Sequence, residues 1–259
     1  MANTSHFVWH DLSTPDLDAS KAFYGELFDW SFQGDDGDDP YEHIQVGDRM
    51  IGGMRRKGAD EPGPPSWMGY VLVDDVADTV VQCQAAGASV YVPKTDMPDV
   101  GTFAVVADPS GGVVAPWRSA RDQENGIEVV VPVRNTFCWD ELLSTDPAAA
   151  KAFYTRVFGW ETETQDQGPR GNYTLFSRPG IANPMGEGLP AWAGGLMQAP
   201  PSVPYSFWLA YVLVEDADAI AERVAKLGAH IAVPPTDLEN VGRICVFTDP
   251  LGANLAVIA

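Results

Sequence analysis

The chain has 259 residues, 16 Lys and Arg against 36 Asp and Glu, and a formal net charge of −20. That balance excludes a phosphate-binding face for nucleic acid and attraction to an anionic membrane surface. Its 45% apolar and 20% charged content is that of an ordinary globular protein of one large or two typical domains.

In chain order, a first strand through Phe7, Trp9, Asp11 and Ser13 leads to Asp16, which reads as a helix cap. Ala19, Ala22, Phe23, Leu27 and Trp30 then form one helical stripe. Gly47-Asp48 between Tyr41–Val46 and Arg49–Met54 reads as a hairpin. A strand at 70–73, a helix over Val76–Ala86 stopped by Gly87, and a Val-rich strand at 103–107 follow. The pattern then starts again. Asp146-Pro147 opens a helix, strands recur at 211–214 and 244–247, and the helix Ala217–Leu227 stops at Gly228.

The recurrence is a duplication. Lys21-Ala22-Phe23-Tyr24 returns as Lys151-Ala152-Phe153-Tyr154 at an offset of 130, and Trp9 matches Trp139. Tyr70-Val71-Leu72-Val73 returns as Tyr211-Val212-Leu213-Val214 at 141, and Asp108-Pro109 matches Asp249-Pro250. The difference is read as an 11-residue insertion within Pro179 to Trp192. The boundaries follow: domain 1 over 5–118, a linker over 119–134, and domain 2 over 135–259. Cys83, Cys138 and Cys245 are too dispersed for a disulfide framework or a zinc–cysteine site. No basic segment followed by an apolar run opens the chain, so a cytoplasmic protein is expected.

A cap Asp, Ala-Phe-Tyr, Phe-x-Trp and a later Asp-Pro-x-Gly, at 108–111 and 249–252, together resemble the vicinal oxygen chelate superfamily of glyoxalases, bleomycin-resistance proteins and extradiol dioxygenases. The resemblance covers nearly all of both copies. It implies an α+β protein of two tandem glyoxalase-fold domains, each made of two βαβββ modules forming cupped mixed sheets. Catalytic members hold one divalent metal. The corresponding positions here fall on Trp9, Met68 and Ala115, on Trp139, Leu209 and Ala256, and near Gly52-Gly53 and Gly194-Gly195. None of these suits such a metal, Met68 offering only a soft thioether, so no metal and no cofactor are expected. A rescue would need His10 or His43 with Glu42, Asp140 or Glu141, and strand alternation turns His10 away from Trp9.

Alternation nominates the cavity walls: Phe7, Trp9, Ser13, Met68, Ala115, Trp117, Phe137, Trp139, Leu209, Asn254 and Ala256 for ligand contact. Asp11, Glu141, Tyr70 and Tyr211 are the candidate acid–base and hydrogen-bonding groups. Tyr24 and Tyr154 are read as structural. The expected protein binds a small hydrophobic or aromatic metabolite without a metal, as a tailoring, isomerase or lyase-type enzyme. Alternatives are a sequestering protein of the bleomycin-resistance type and a metal-dependent lyase or dioxygenase with atypical ligands. A small-molecule partner, no nucleic acid, no membrane, and a monomer or homodimer complete the expectation.

Overall fold

The computed structural model describes residues 5–34, 40–61, 63–120, 131–183 and 190–259. The order strand, helix, three strands runs four times. The first module is β1 (Phe7–Thr14), α1 (Leu17–Phe28), β2 (Ser31–Gly34), β3 (Tyr41–Val46) and β4 (Arg49–Arg56). The second is β5 (Ser66–Leu72), α2 (Val76–Ala85), β6 (Ser89–Met97), β7 (Gly101–Ala107) and β8 (Val113–Ser119). The third is β9 (Phe137–Ser144), α3 (Pro147–Phe158), β10 (Glu161–Asp166), β11 (Asn172–Ala182) and β12 (Pro190–Gln198). The fourth is β13 (Phe207–Leu213), α4 (Ala217–Lys226), β14 (His230–Leu238), β15 (Gly242–Thr248) and β16 (Asn254–Ile258).

Two eight-stranded sheets result, with orders β2-β3-β4-β1-β5-β8-β7-β6 and β10-β11-β12-β9-β13-β16-β15-β14. Both are mixed: β1 runs parallel to β4 while β3 runs antiparallel to it, and β9 and β12 repeat the parallel pair. The α+β duplicated architecture is therefore as the sequence implies.

Each of the four α-helices α1–α4 begins at an Asp whose carboxylate accepts a backbone N–H: Asp16 from Ala19, Asp75 from Asp78, Asp146 from Ala149, and Asp216 from Asp218 and Ala219. The stripe read through Trp30 overruns its helix. α1 stops at Phe28 because Asp29 turns left-handed, with φ 56°. Trp30 still enters the same core.

Register also corrects the single insertion. The offset is 132 at Glu42 and Thr174, 142 at Gly53 and Gly195, and 141 at Tyr70 and Tyr211. Two residues are gained before the hairpin, ten within it, and one is lost after it. Part of the 179–192 window, residues 184–189, lies outside the described residues, as does 121–130 of the linker.

Contacts divide the chain into two compact units, each taking one module from each repeat. Unit 1 is Met1–Val8, Gly69–Val131 and Asp140–Trp208; unit 2 is Trp9–Met68, Pro132–Trp139 and Leu209–Ala259. In unit 2, Leu12, Phe23 and Leu27 share a core with Val224, Phe247 and Val257. In unit 1, Val71, Cys83 and Val106 share one with Phe153, Phe158 and Leu196.

The family motifs tie these halves together. In unit 2, Asp249 accepts the backbone N–H groups of Leu251, Gly252 and Ala253 on Oδ1 and the Tyr24 hydroxyl on Oδ2 at 2.9 Å. The Trp67 indole donates to Tyr24 in turn, at 3.1 Å. In unit 1, Asp108 accepts from Ser110 and Gly112, and Trp208 donates to Tyr154 at 2.8 Å.

Candidate functional site

In unit 2, Leu12, Ile44 and Met54 point into the core beneath α1. Alternation puts Asp11, His43 and Gly53 on the opposite face, and register sets them in one row, His43 beside Gly53 beside Asp11. Asp11 is only 5% exposed. Its Oδ1 accepts the Tyr41 hydroxyl at 2.6 Å and the Trp9 indole N–H at 2.8 Å, and Trp9 is also 3.0 Å from the Tyr41 oxygen. The His43 ring meets Tyr41 and Trp9 edge-on, at 5.0 and 6.2 Å between centroids.

Gly53 makes this cluster possible. A Cβ there would collide with the Tyr41 hydroxyl and stand 2.8 Å from Asp11 Oδ1. Ser13 is two residues from Asp11 on the same strand, and its hydroxyl is buried without a hydrogen-bond partner. The sequence reading missed Tyr41. Its signal is the Tyr/Gly pair 41 and 53, repeated as 173 and 195, but the two members recur at different offsets.

Unit 1 repeats the carboxylate–glycine–tyrosine part of the arrangement. Glu141, 9% exposed, pairs with Gly195, and the Tyr173 hydroxyl fills the space a Cβ on Gly195 would take. Tyr70 in the same unit packs against Trp117 and Phe103, with Ala115 opposite it in register. Tyr70 and Glu141 belong to unit 1, and Tyr211 and Asp11 to unit 2.

The remaining nominated residues divide. Leu209, Tyr211 and Ala256 are buried, with Tyr211 in register with Ala256. Ala210, Val212 and Val257 fill the helix-side core, so these three face away from it. Met68 and Trp139 are half-buried. The Asn254 side-chain oxygen is taken by the Thr248 hydroxyl at 2.7 Å. Two wall assignments are wrong. Phe7 packs into the helix-side core of unit 1, 4.9 Å from Trp208, because Gly69 leaves a slot that its ring fills. Phe137 likewise packs against Trp67 and Trp30 in unit 2. His10 stacks on it at 4.1 Å, on the helix side as alternation requires.

The family's metal positions do not form a ligand set. The Trp9 indole is a donor already directed at Asp11 and Tyr41. Gly53 has no side chain, and Ala115, Leu209 and Ala256 offer methyl groups. Glu42 is bound to Lys21 at 2.7 Å on the face opposite His43. Among the described residues no three His, Cys, Asp or Glu side chains converge.

Four strand–helix–three-strand modules carrying these paired motifs define the vicinal oxygen chelate fold. The chain belongs to the Glyoxalase/Bleomycin resistance protein/Dioxygenase superfamily, whose profile matches residues 4–115 and 136–257. It is 33% identical over 258 residues to CFP32 of Mycobacterium tuberculosis, whose name gives it provisionally as a glyoxylase, covering 96% of this chain and 93% of that protein. It is 34% identical over 129 residues to the anthracycline biosynthesis protein DnrV of Streptomyces peucetius, covering 46% and 45%. An extradiol ring-cleaving dioxygenase from B. fuscum superposes over 100% of this chain and 72% of its own, with a TM-score of 0.65 and 12% identity. The Mn(II)-bound glyoxalase from Novosphingobium aromaticivorans superposes over 99% and 82%, with a TM-score of 0.60 and 17% identity. At those identities the two structures speak for the fold alone. Among the described residues no helix is long and apolar enough to cross a membrane.

Proposed function

We propose that this chain binds a small hydrophobic or aromatic metabolite on the sheet faces carrying Asp11 and Glu141. In this reading it acts without a metal at the family positions, as a tailoring, isomerase or lyase-type enzyme of small-molecule biosynthesis in the cytoplasm. The observation that carries the reading is the Asp11–Tyr41–Trp9 cluster. A buried carboxylate is costly unless its hydrogen bonds are arranged for it. Here two donors fix one oxygen, and a glycine keeps the space for them. The same carboxylate–tyrosine–glycine set occurs at Glu141. The unpartnered Ser13 hydroxyl supplies a further group able to meet a ligand. An aromatic metabolite fits the indole and phenol surfaces, and the biosynthetic role of DnrV in its own organism agrees with that class.

The test uses an anthraquinone as the flat aromatic probe and calorimetry as the readout. Saturable binding is expected, weakened roughly tenfold by Asp11→Asn or Glu141→Gln, since a lost hydrogen bond to a charged group is worth about 1.5–3 kcal/mol. Wild-type behaviour in both single variants and the double variant would refute the role of the carboxylates. Elemental analysis should give well below one metal per chain. Stoichiometric Fe, Ni, Zn or Mn, removed by chelation together with function, would overturn the metal-free reading.

A further inference from the structure

Lys21 and Lys151 occupy the same place on α1 and α3, but their surroundings differ. Register fixes the comparison. Glu42 pairs with Met54, which pairs with Leu12; Thr174 pairs with Leu196, which pairs with Leu142. In the first module the Lys21 ammonium lies 2.7 Å from Glu42 and 3.2 Å from Asp18. Its pKa is raised, most by the Glu42 hydrogen bond, against an opposing contribution from burial. Gly34 gives the Glu42 carboxylate room: a Cβ there would stand 3.1 Å from it.

In the third module three changes undo this arrangement while the lysine stays. Asp18 becomes Ala148, Glu42 becomes Thr174, and Gly34 becomes Thr164, whose hydroxyl bonds Thr174 at 2.9 Å. Among the described residues no acid pairs with Lys151. The chain has 36 acids for 16 bases, so the isolation of this lysine does not come from a shortage of acids. At the same spot unit 1 has a half-open surface groove of about 450 Å³, bordered by Lys151, Ala148, Thr174, Asn172 and Gln198 with Leu196 beneath. That volume suits a small molecule. The one acid on its wall, Asp146, is held by the Ala149 backbone N–H at 3.0 Å.

We infer that this groove binds a small organic carboxylate, whose charged group takes beside Lys151 the place that Glu42 takes beside Lys21. Pro147 and Ala148 give the ligand's carbon skeleton a small apolar surface, and Asn172 offers a polar group beside it. The site is separate from the Glu141–Tyr173 face. Thr174 and Leu196 align with Leu142, which points into the helix-side core, and their neighbours Tyr173 and Gly195 point the other way. The inference therefore stands or falls independently of the proposed metabolite site.

Sodium benzoate is the probe, titrated at constant ionic strength while amide shifts are followed by two-dimensional NMR. Saturable shifts are expected at 147–151, 172–174 and 196–198, and Lys151→Met should weaken them about tenfold or more. The triple variant Ala148→Asp, Thr164→Gly, Thr174→Glu rebuilds the first repeat's ion pair, and should abolish the shifts with the rest of the spectrum unchanged. A Lys226→Met variant, at an exposed lysine on α4, should bind benzoate as wild type does. Shifts that do not saturate, that persist in Lys151→Met, or that phosphate produces while benzoate does not, would overturn the proposal. Should the triple variant fail to fold, the Lys151→Met titration decides alone.

Discussion

Tyr41 sets what Asp11 can do, and Gly53 sets where Tyr41 can be. A methyl at position 53 has no room beside the hydroxyl and Asp11 Oδ1. Gly53→Ala should therefore displace the Tyr41 ring, cost about 1–3 kcal/mol as overpacking does, and raise the exposure of Trp9, read as a red shift in tryptophan emission with a lower urea midpoint. An unchanged midpoint and spectrum would mean that the cluster is looser than its distances imply. A second residue-scale expectation concerns pH. The Glu61 carboxyl is held down to about 2, first by its paired hydrogen bonds from Arg55, and further by the Gly58 N–H. A lowered folded pKa gives stability that is present above the unfolded value, 4.5, and lost as pH falls towards 2. The side chain is 39% exposed, so solvent screening limits the effect to under about 1 kcal/mol. Glu61→Gln should lower stability at pH 7 by up to that amount, flatten the acid limb of the stability profile, and leave stability near pH 2 almost unchanged. Asp11 and Glu141 were legible in the sequence because alternation along one strand places them. Tyr41 and Tyr173 were not, since what positions them is a glycine on the neighbouring strand.

At the scale of the elements, the Ala-Phe-Tyr helix and the Asp-Pro-x-Gly turn could each be recognised from the residues, but the bond between them could not. Tyr24 and Asp249 are 225 residues apart, and nothing local says that they meet. The phenol pKa is pushed well above 10.0, first by burial and then by the Asp249 charge. Tyr24 therefore serves as a fixed hydrogen-bond bridge from Trp67 to the turn. Tyr24→Phe keeps the ring and strands two buried polar groups, the Trp67 N–H and Asp249 Oδ2. A loss of about 1–3 kcal/mol in chemical denaturation is expected, and Tyr154→Phe should cost a similar amount through Trp208. A neutral result in both would show that water replaces the hydroxyl. Phe7 and Phe137 failed the alternation rule for a comparable reason: the slot over Gly69 and the rings of Trp67 and Trp30 attract them to the other layer.

For the whole molecule, the duplication in the sequence and the compact units in space do not coincide. The core containing Leu12, Phe23 and Leu27 is completed by Val224, Phe247 and Val257 from the second repeat. The core containing Val71, Cys83 and Val106 is completed by Phe153, Phe158 and Leu196. Each repeat alone therefore carries halves of two cores, and its two helices would present those halves to water. The Trp30 indole donates to the Asn135 carbonyl at 2.7 Å, and the Trp160 indole to the Ser5 carbonyl at 2.9 Å, so even the residues after the helices are fixed by the other repeat. Small domains have little stability to spare, and exposing this much apolar surface removes most of it. Residues 1–120 and 131–259 produced as separate chains should each lack a cooperative thermal transition and should bind a hydrophobic dye. Mixed in equal amounts, they should associate, release the dye and recover a single transition whose midpoint rises with concentration, as mass action requires. A fragment that melts cooperatively on its own, with native-like spectral dispersion, would show that one repeat closes its own core, and that the cross-repeat cores contribute little to folding.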